Sequence, residues 1–151
     1  ARDDMLHGSE RYAIWDYKSG SAFEFSQEDP FKQGRKLQSF LYVGMLRHRL
    51  ASIGKGNDVV TSFGYFFPNT KTEGLRLVWT AGDLKEGDGI LQSICDLIQA
   101  GAFPATTNKE DCKFCNYNNV CKDAAFVAVE SVRKASDTNN RKLLGAWHKL
   151  R

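Results

Sequence analysis

Asp16 and Lys18 stand two positions apart at the end of the apolar run Tyr12-Ala13-Ile14-Trp15, and Gln38 and Tyr42 follow further down the chain. The run reads as a strand. Side chains at i and i+2 of a strand project from one face, so Asp16 and Lys18 point together and Tyr17 turns the other way. A carboxylate can hold a hard cation, and an ammonium beside it can stabilise a developing oxyanion. Together they suit metal-assisted hydrolysis of a phosphodiester.

The elements that must position this pair can be read on either side of it. Ala1-Arg2-Asp3-Asp4-Met5 reads as a strand joined to Tyr12–Trp15 through His7-Gly8-Ser9-Glu10, a polar break that suits a hairpin. That hairpin would return Asp3 to the side of Asp16. Mg²⁺ is usually held by one or two protein carboxylates, water and substrate phosphate. Downstream, Arg35 to Leu50 reads as a helix whose core stripe is Leu37, Leu41 and Met45, joined by Phe40 and Val43. Gln38 and Tyr42, four apart, share a face next to that stripe.

A second signal is Cys112-Lys113-Phe114-Cys115, followed by Cys121. Three cysteines around a polar loop suit a metal or cluster site in a reducing compartment better than a disulfide set. Structural zinc needs four ligands, and iron–sulfur clusters are likewise held by four thiolates. The spacing alone leaves the two open. Cys95, the remaining cysteine, lies in the amphipathic run Ile90–Ile98 and reads as a small core residue.

The whole pattern resembles the PD-(D/E)xK nuclease superfamily and, within it, the nuclease domains of the AddB and RecB helicase–nucleases. Those domains carry a Gly-x-x-Asp strand, an Asp-Tyr-Lys-Thr-Gly strand and a helix with Gln-x-x-x-Tyr. Asp3 resembles the first, Asp16-Tyr17-Lys18-Ser19-Gly20 the second, and Gln38 with Tyr42 the third. Ser19 replaces the family's Thr, and the family's Gly would fall before Ala1. The resemblance implies that Asp3, Asp16 and the Tyr17 carbonyl hold Mg²⁺ or Mn²⁺. It implies that Lys18 orients or activates the attacking water, with Gln38 and Tyr42 bracing the site and the DNA backbone.

AddB-type and CRISPR-adaptation nucleases also end in Cys-x2-Cys-x5-Cys, which with one upstream cysteine holds a 4Fe–4S cluster. The resemblance therefore favours such a cluster on Cys112, Cys115 and Cys121, with the fourth ligand outside this chain. It also implies DNA as substrate, as single strands or ends, and a helicase partner, fused or in complex, in end processing and recombinational repair. Alternatives are a CRISPR-adaptation nuclease, an inactive DNA-binding module of a helicase complex, and a zinc-stapled interaction domain. The expected fold is α/β: a central mixed sheet flanked by helices, as in restriction endonucleases, with the cysteine loop at its C-terminal end.

Length and composition agree with one globular domain or most of one. The 151 residues are 42% hydrophobic and 26% charged, with a net charge of +3 that does not by itself mark a nucleic-acid binder. The clustering of Lys32, Arg35, Lys36, Arg47, His48, Arg49 and Lys55 is more informative. Of these, Arg35, Lys36, Arg47 and Arg49 are the candidate DNA-binding residues, although a solvated basic helix face gives the same pattern. No run approaches a membrane span, no signal peptide is visible, and a cytoplasmic setting is expected.

The remaining segments read as scaffold. Val59–Phe67 and Gly74–Thr80 read as paired strands, and a helix is expected from Asp83 to Gly101, where glycine stops it. A further helix is expected from Asp123 to Lys134. Residues 1–135 form the expected nuclease core and 136–151 a linker and basic tail. The missing Met and the start within a motif strand suggest a C-terminal piece of a longer protein.

Overall fold

The computed structural model describes residues 11–32, 34–56, 59–113, 115–121 and 123–150. Asp3, Asp4 and the expected first strand lie outside the described residues. The chain divides into two compact units, 1–89 and 90–151, with the boundary in the first turn of a helix.

The first unit is a mixed sheet with a crossover helix. Strand β1 (Tyr12–Tyr17) leads through α1 (Gln38–Ala51) to β2 (Val60–Phe66), and β2 turns into β3 (Arg76–Thr80). The sheet order is β1-β2-β3, parallel between the first two strands and antiparallel between the last two. A helix between parallel neighbours is the usual solution, because parallel strands cannot be joined by a tight turn. This is the α/β arrangement expected from the sequence.

Alternation sorts the sheet residues. Along β3, Leu77 and Trp79 are buried while Arg76, Val78 and Thr80 face outward. On β2, Phe63 and Tyr65 are buried, and Phe67 just beyond continues the row. Their rings meet edge to face: Phe63–Tyr65 centroids are 5.0 Å apart and Tyr65–Trp79 centroids 5.6 Å. That geometry matches the ring quadrupoles. α1 packs beside this row through Tyr42, whose ring lies 6.2 Å from that of Phe63.

The buried face of α1 is not the expected one. Ser39, Val43 and Leu50 are buried, whereas Leu41 and Met45 are exposed. Small Ser39 and Val43 let the helix approach the aromatic row closely, and the longer side chains turn away from it. Gly87, at the start of α2 (Gly87–Gln99), also approaches closely: a Cβ there would come within 2.3 Å of the Phe40 ring. α2 begins later than the expected Asp83. The Asp83 carboxylate accepts from the Thr80 N–H and hydroxyl, each at 2.8 Å, and these bonds hold 80–83 in a turn. They also pull the Asp83 pKa below its usual value.

The outer edge of β3 is covered by a side chain. Val78 N–H donates to Gln27 Oε1 at 3.1 Å, and Gln27 Nε2 donates back to the Val78 carbonyl. Trp79 Nε1 donates to the Gln27 carbonyl at 2.8 Å. A primary amide offers a donor and an acceptor side by side, so Gln27 mimics one residue of a neighbouring strand.

The second unit gathers around Leu97, Ala102, Ala135 and Leu144, with Ala146, Trp147 and Leu150 packed against them. α2 stops as expected: Gly101 takes φ +64°, Ala102 N–H donates to the Leu97 carbonyl and Gly101 N–H to that of Ile98. A 3₁₀ turn (Lys109–Cys112), α3 (Asn118–Cys121) and α4 (Ala124–Ser136) follow. Asp123 caps α4 by accepting from Phe126 N–H at 2.9 Å. Residues 136–151, read from sequence as linker and tail, contain a 3₁₀ turn (Thr138–Asn140) and α5 (Gly145–His148). Leu144 is buried in the core, and Ala146, Trp147 and Leu150 pack against it. Cys95, expected in the core, is exposed. The buried face of α2 runs through Ser93 and Leu97, and a residue two positions from each falls on the opposite side.

Gly64 carries the tightest constraint in the sheet. It pairs with Trp15 across β1 and β2, and a Cβ would lie 2.6 Å from the indole and 3.1 Å from the Leu77 carbonyl. Gly64→Val should therefore lower stability by about 1–3 kcal/mol, read as a reduced midpoint in chemical denaturation. An unchanged midpoint would show that the sheet accommodates the added volume.

Candidate active site

Asp16 and Lys18 lie at the C-terminal end of β1 on the face that α1 covers. The register pairs Asp16 with Tyr65, and Lys18 N–H continues the ladder to the Phe66 carbonyl at 2.8 Å. Tyr17 turns to the opposite face, where its ring meets Phe66 edge to face. The alternation read from sequence is thus the one observed.

Lys18 Nζ is the hub. It lies 2.9 Å from Asp16 Oδ2, donates to Gln38 Oε1 at 3.1 Å, and stands 5.0 Å from the centre of the Tyr65 ring. Gln38 Nε2 in turn donates to the Tyr42 hydroxyl at 2.9 Å, one helical turn along α1. The amide is thereby oriented: its oxygen faces the ammonium and its nitrogen faces the phenol. Tyr65 also reaches this amide, with its hydroxyl 3.5 Å from Gln38 Oε1.

Tyr65 lies in the strand Val59–Phe67, which the sequence assigns to scaffold alone. Its ring is core, but its hydroxyl enters the site. Burial, then the Asp16 charge, then Tyr42, push its pKa up to about 12, so the hydroxyl stays a neutral donor at physiological pH. The available signal was register: the strand read at Val59–Phe67 had to pair with β1, and one pairing sets Tyr65 beside Asp16.

Two candidate DNA-binding residues join the site and two do not. Arg35 and Lys36 line one groove with Lys18, Gln38, Tyr42 and Tyr65. Lys36 Nζ sits 3.4 Å from the centre of the Phe25 ring, and burial lowers its pKa from the usual lysine value. Arg47 turns elsewhere, donating to the Val60 carbonyl at 3.4 Å and lining a different groove with Val43, Leu84 and Asp88. Arg49 is exposed on α1, four residues beyond Met45.

The chain matches the family model of the PD-(D/E)XK nuclease superfamily over residues 1–122. It belongs to that superfamily. No curated protein and no solved structure matches it. The mixed sheet with flanking helices is consistent with the restriction-endonuclease-like fold of PD-(D/E)xK proteins, which are generally nucleases and typically use Mg²⁺ or Mn²⁺.

The donors present fit one arm of such a cation site. Asp16 Oδ2 is buried, and its contact with Lys18 is an ion pair not aligned as a hydrogen bond. It has no hydrogen-bond partner among the described residues. An anionic oxygen left in that state is a hard donor suited to a small divalent cation. Among the described residues no three His, Cys, Asp or Glu side chains form a metal-holding group, so Asp16 is the described carboxylate in question. Asp3, its expected partner, lies outside them.

The cysteines belong to the second unit. Cys112 and Cys115 are half-buried, Cys121 is exposed, and all three are free thiols. Burial, then Cys115, Asp111 and Cys121, raise the Cys112 pKa. Among the described residues no three His, Cys, Asp or Glu side chains, these three included, form a group that could hold a metal. No described helix is long and apolar enough to cross a membrane.

The elevated Tyr65 pKa has a direct consequence. A folded-state value near 12, against the ordinary 10, means that this group's contribution to stability is complete below pH 10 and lost as pH climbs through 12. Ultraviolet titration should resolve one late-ionising tyrosine that disappears in Tyr65→Phe and moves to lower pH in Asp16→Asn. A late step surviving in Tyr65→Phe would contradict this assignment.

Proposed function

We propose that this PD-(D/E)xK protein is a deoxyribonuclease that hydrolyses DNA phosphodiesters with Mg²⁺ or Mn²⁺. The supporting observation is the continuous array Asp16–Lys18–Gln38–Tyr42, with a buried carboxylate oxygen at one end that has the Lys18 ion pair but no hydrogen bond among the described residues. Asp16, the Tyr17 carbonyl and Asp3 would hold the cation. When bound, a divalent cation polarises phosphoryl oxygens and lowers the pKa of water. Lys18 places a positive charge and N–H donors where negative charge develops on the phosphate. Gln38 fixes the direction of that ammonium, and Tyr42 and Tyr65 fix Gln38. Arg35 and Lys36 draw the DNA backbone toward Lys18, and Arg49 extends the same basic face.

The more specific reading is a nuclease of the AddB and RecB kind, acting in the cytoplasm on unwound DNA ends with a helicase, fused or in complex, during recombinational repair. Its support is the string Asp16-Tyr17-Lys18-Ser19-Gly20 together with the Cys112, Cys115 and Cys121 spacing. A 4Fe–4S cluster on those cysteines, with a fourth ligand from outside this chain, belongs to the same proposal.

End-labelled single-stranded DNA tests the chemistry. Cleavage should require Mg²⁺ or Mn²⁺ and fall by roughly 10²–10³-fold or more in Asp16→Ala or Lys18→Ala, with DNA binding kept. Gln38→Ala, which removes only the brace, should cost about 10- to 100-fold. Cleavage undiminished in Asp16→Ala would refute the site, and a folded, metal-supplied protein with no cleavage would favour an inactive DNA-binding module. For the cysteines, anaerobically purified longer protein should contain iron and acid-labile sulfide that are lost in Cys115→Ser. Stoichiometric zinc in their place would overturn the cluster.

A further inference from the structure

The groove that holds Lys18 and Gln38 has one wall without a role in the hydrolytic array. Leu37, Leu41 and Met45 follow one another along α1 and line it. Leu41 is 41% exposed and Met45 67%, because α1 packs on the sheet through Ser39, Val43 and Leu50 instead. Opposite polarity sits close by: Arg35 and Lys36 line the same groove, and Lys18 lies in it. An apolar shelf bordered by cations matches a ligand that is anionic along one side and flat and apolar along the other.

We propose that this shelf receives the base of an unpaired nucleotide, with Leu41 and Met45 against the base and Arg35 and Lys36 on its phosphate. The proposal rests on the reading of DNA as the ligand and adds which residues would favour an unpaired strand over a duplex. In a duplex the base faces are stacked on one another and only their edges reach the grooves, so an apolar shelf gains nothing from them. In a single strand each base has an exposed face, and burying that face against aliphatic side chains adds affinity without sequence preference. The cations alone would attract single and double strands alike. On this view the basic residues supply attraction and α1 supplies the choice of strand.

The test compares binding of the whole chain to three labelled DNAs of equal length in EDTA: a single strand, an abasic single strand and a duplex. The protein should bind the base-bearing strand roughly tenfold more tightly than the abasic one, the scale of burying one base face against two aliphatic side chains. The Leu41→Ser/Met45→Ser double variant should lose that preference while still binding the abasic strand. Arg35→Ala/Lys36→Ala should weaken both by a similar factor and reduce the salt dependence. Unaltered thermal unfolding of the variants checks that they fold.

Equal affinity for base-bearing and abasic strands, no DNA binding at all, or a double variant that keeps the full preference would each overturn the shelf. So would self-association of the native chain that the double variant abolishes, since the surface would then be an interface between copies. Because binding is measured without cleavage, a protein that shows the expected preference yet never cuts DNA would sink the nuclease reading and leave the shelf standing. Metal-dependent cleavage without the preference would do the reverse.

Discussion

Everything in the site turns on the hydrogen bond from Lys18 Nζ to Gln38 Oε1. It is the bond that ties the end of β1 to the start of α1, two elements twenty residues apart in sequence. A flexible amine on a four-carbon stem has many rotamers and gains a defined position only where several partners converge. Asp16 approaches from the same strand, Gln38 from the helix, and the Tyr65 ring from the neighbouring strand. The bond also depends on its own support, because Gln38 could present either end of its amide to Lys18. The Tyr42 hydroxyl, accepting from Nε2, makes the oxygen face the ammonium.

That convergence depends in turn on sheet register. Parallel pairing of β1 with β2 sets Asp16 opposite Tyr65 and leaves Trp15 opposite Gly64. A one-residue slip would reverse the faces of every β1 side chain, sending Asp16 and Lys18 away from α1. The absence of a side chain at Gly64 and the bulk of the Trp15 indole allow the observed pairing and resist its neighbours. Packing in the sheet is thus what fixes the site chemistry, and the edge-to-face aromatic row beneath it is the foundation.

Local pattern made much of this legible. The alternation of β1, the four-residue spacing of Gln38 and Tyr42, the hairpin of β2 and β3, and the glycine stop after α2 are short-range signals that the chain states outright. What failed was long-range. Leu37, Leu41 and Met45 have helical spacing and apolar character, so a sequence assigns them to the core. Which stripe of an amphipathic helix is buried depends on what it packs against, and the bulky aromatic row favours the small Ser39 and Val43. Tyr65 reads as core because it sits in the aromatic run Tyr65-Phe66-Phe67, and only its register beside Asp16 gives the hydroxyl a polar destination. Residues 136–151 look like a tail in composition, yet Leu144, with Ala146, Trp147 and Leu150 beside it, packs on the core of the second unit. A few apolar residues at the end of a basic segment leave too little periodicity to recognise.

The Gln27 amide seated on Val78 guards the β3 edge of the sheet. One margin is closed by a side chain that satisfies the same two backbone groups a new strand would need. A strand from another molecule therefore finds the centre of the β3 edge already satisfied and has no ladder to extend there. The protection comes from a residue outside the strands, so β3 keeps its alternation of buried and outward side chains while its edge is guarded against association.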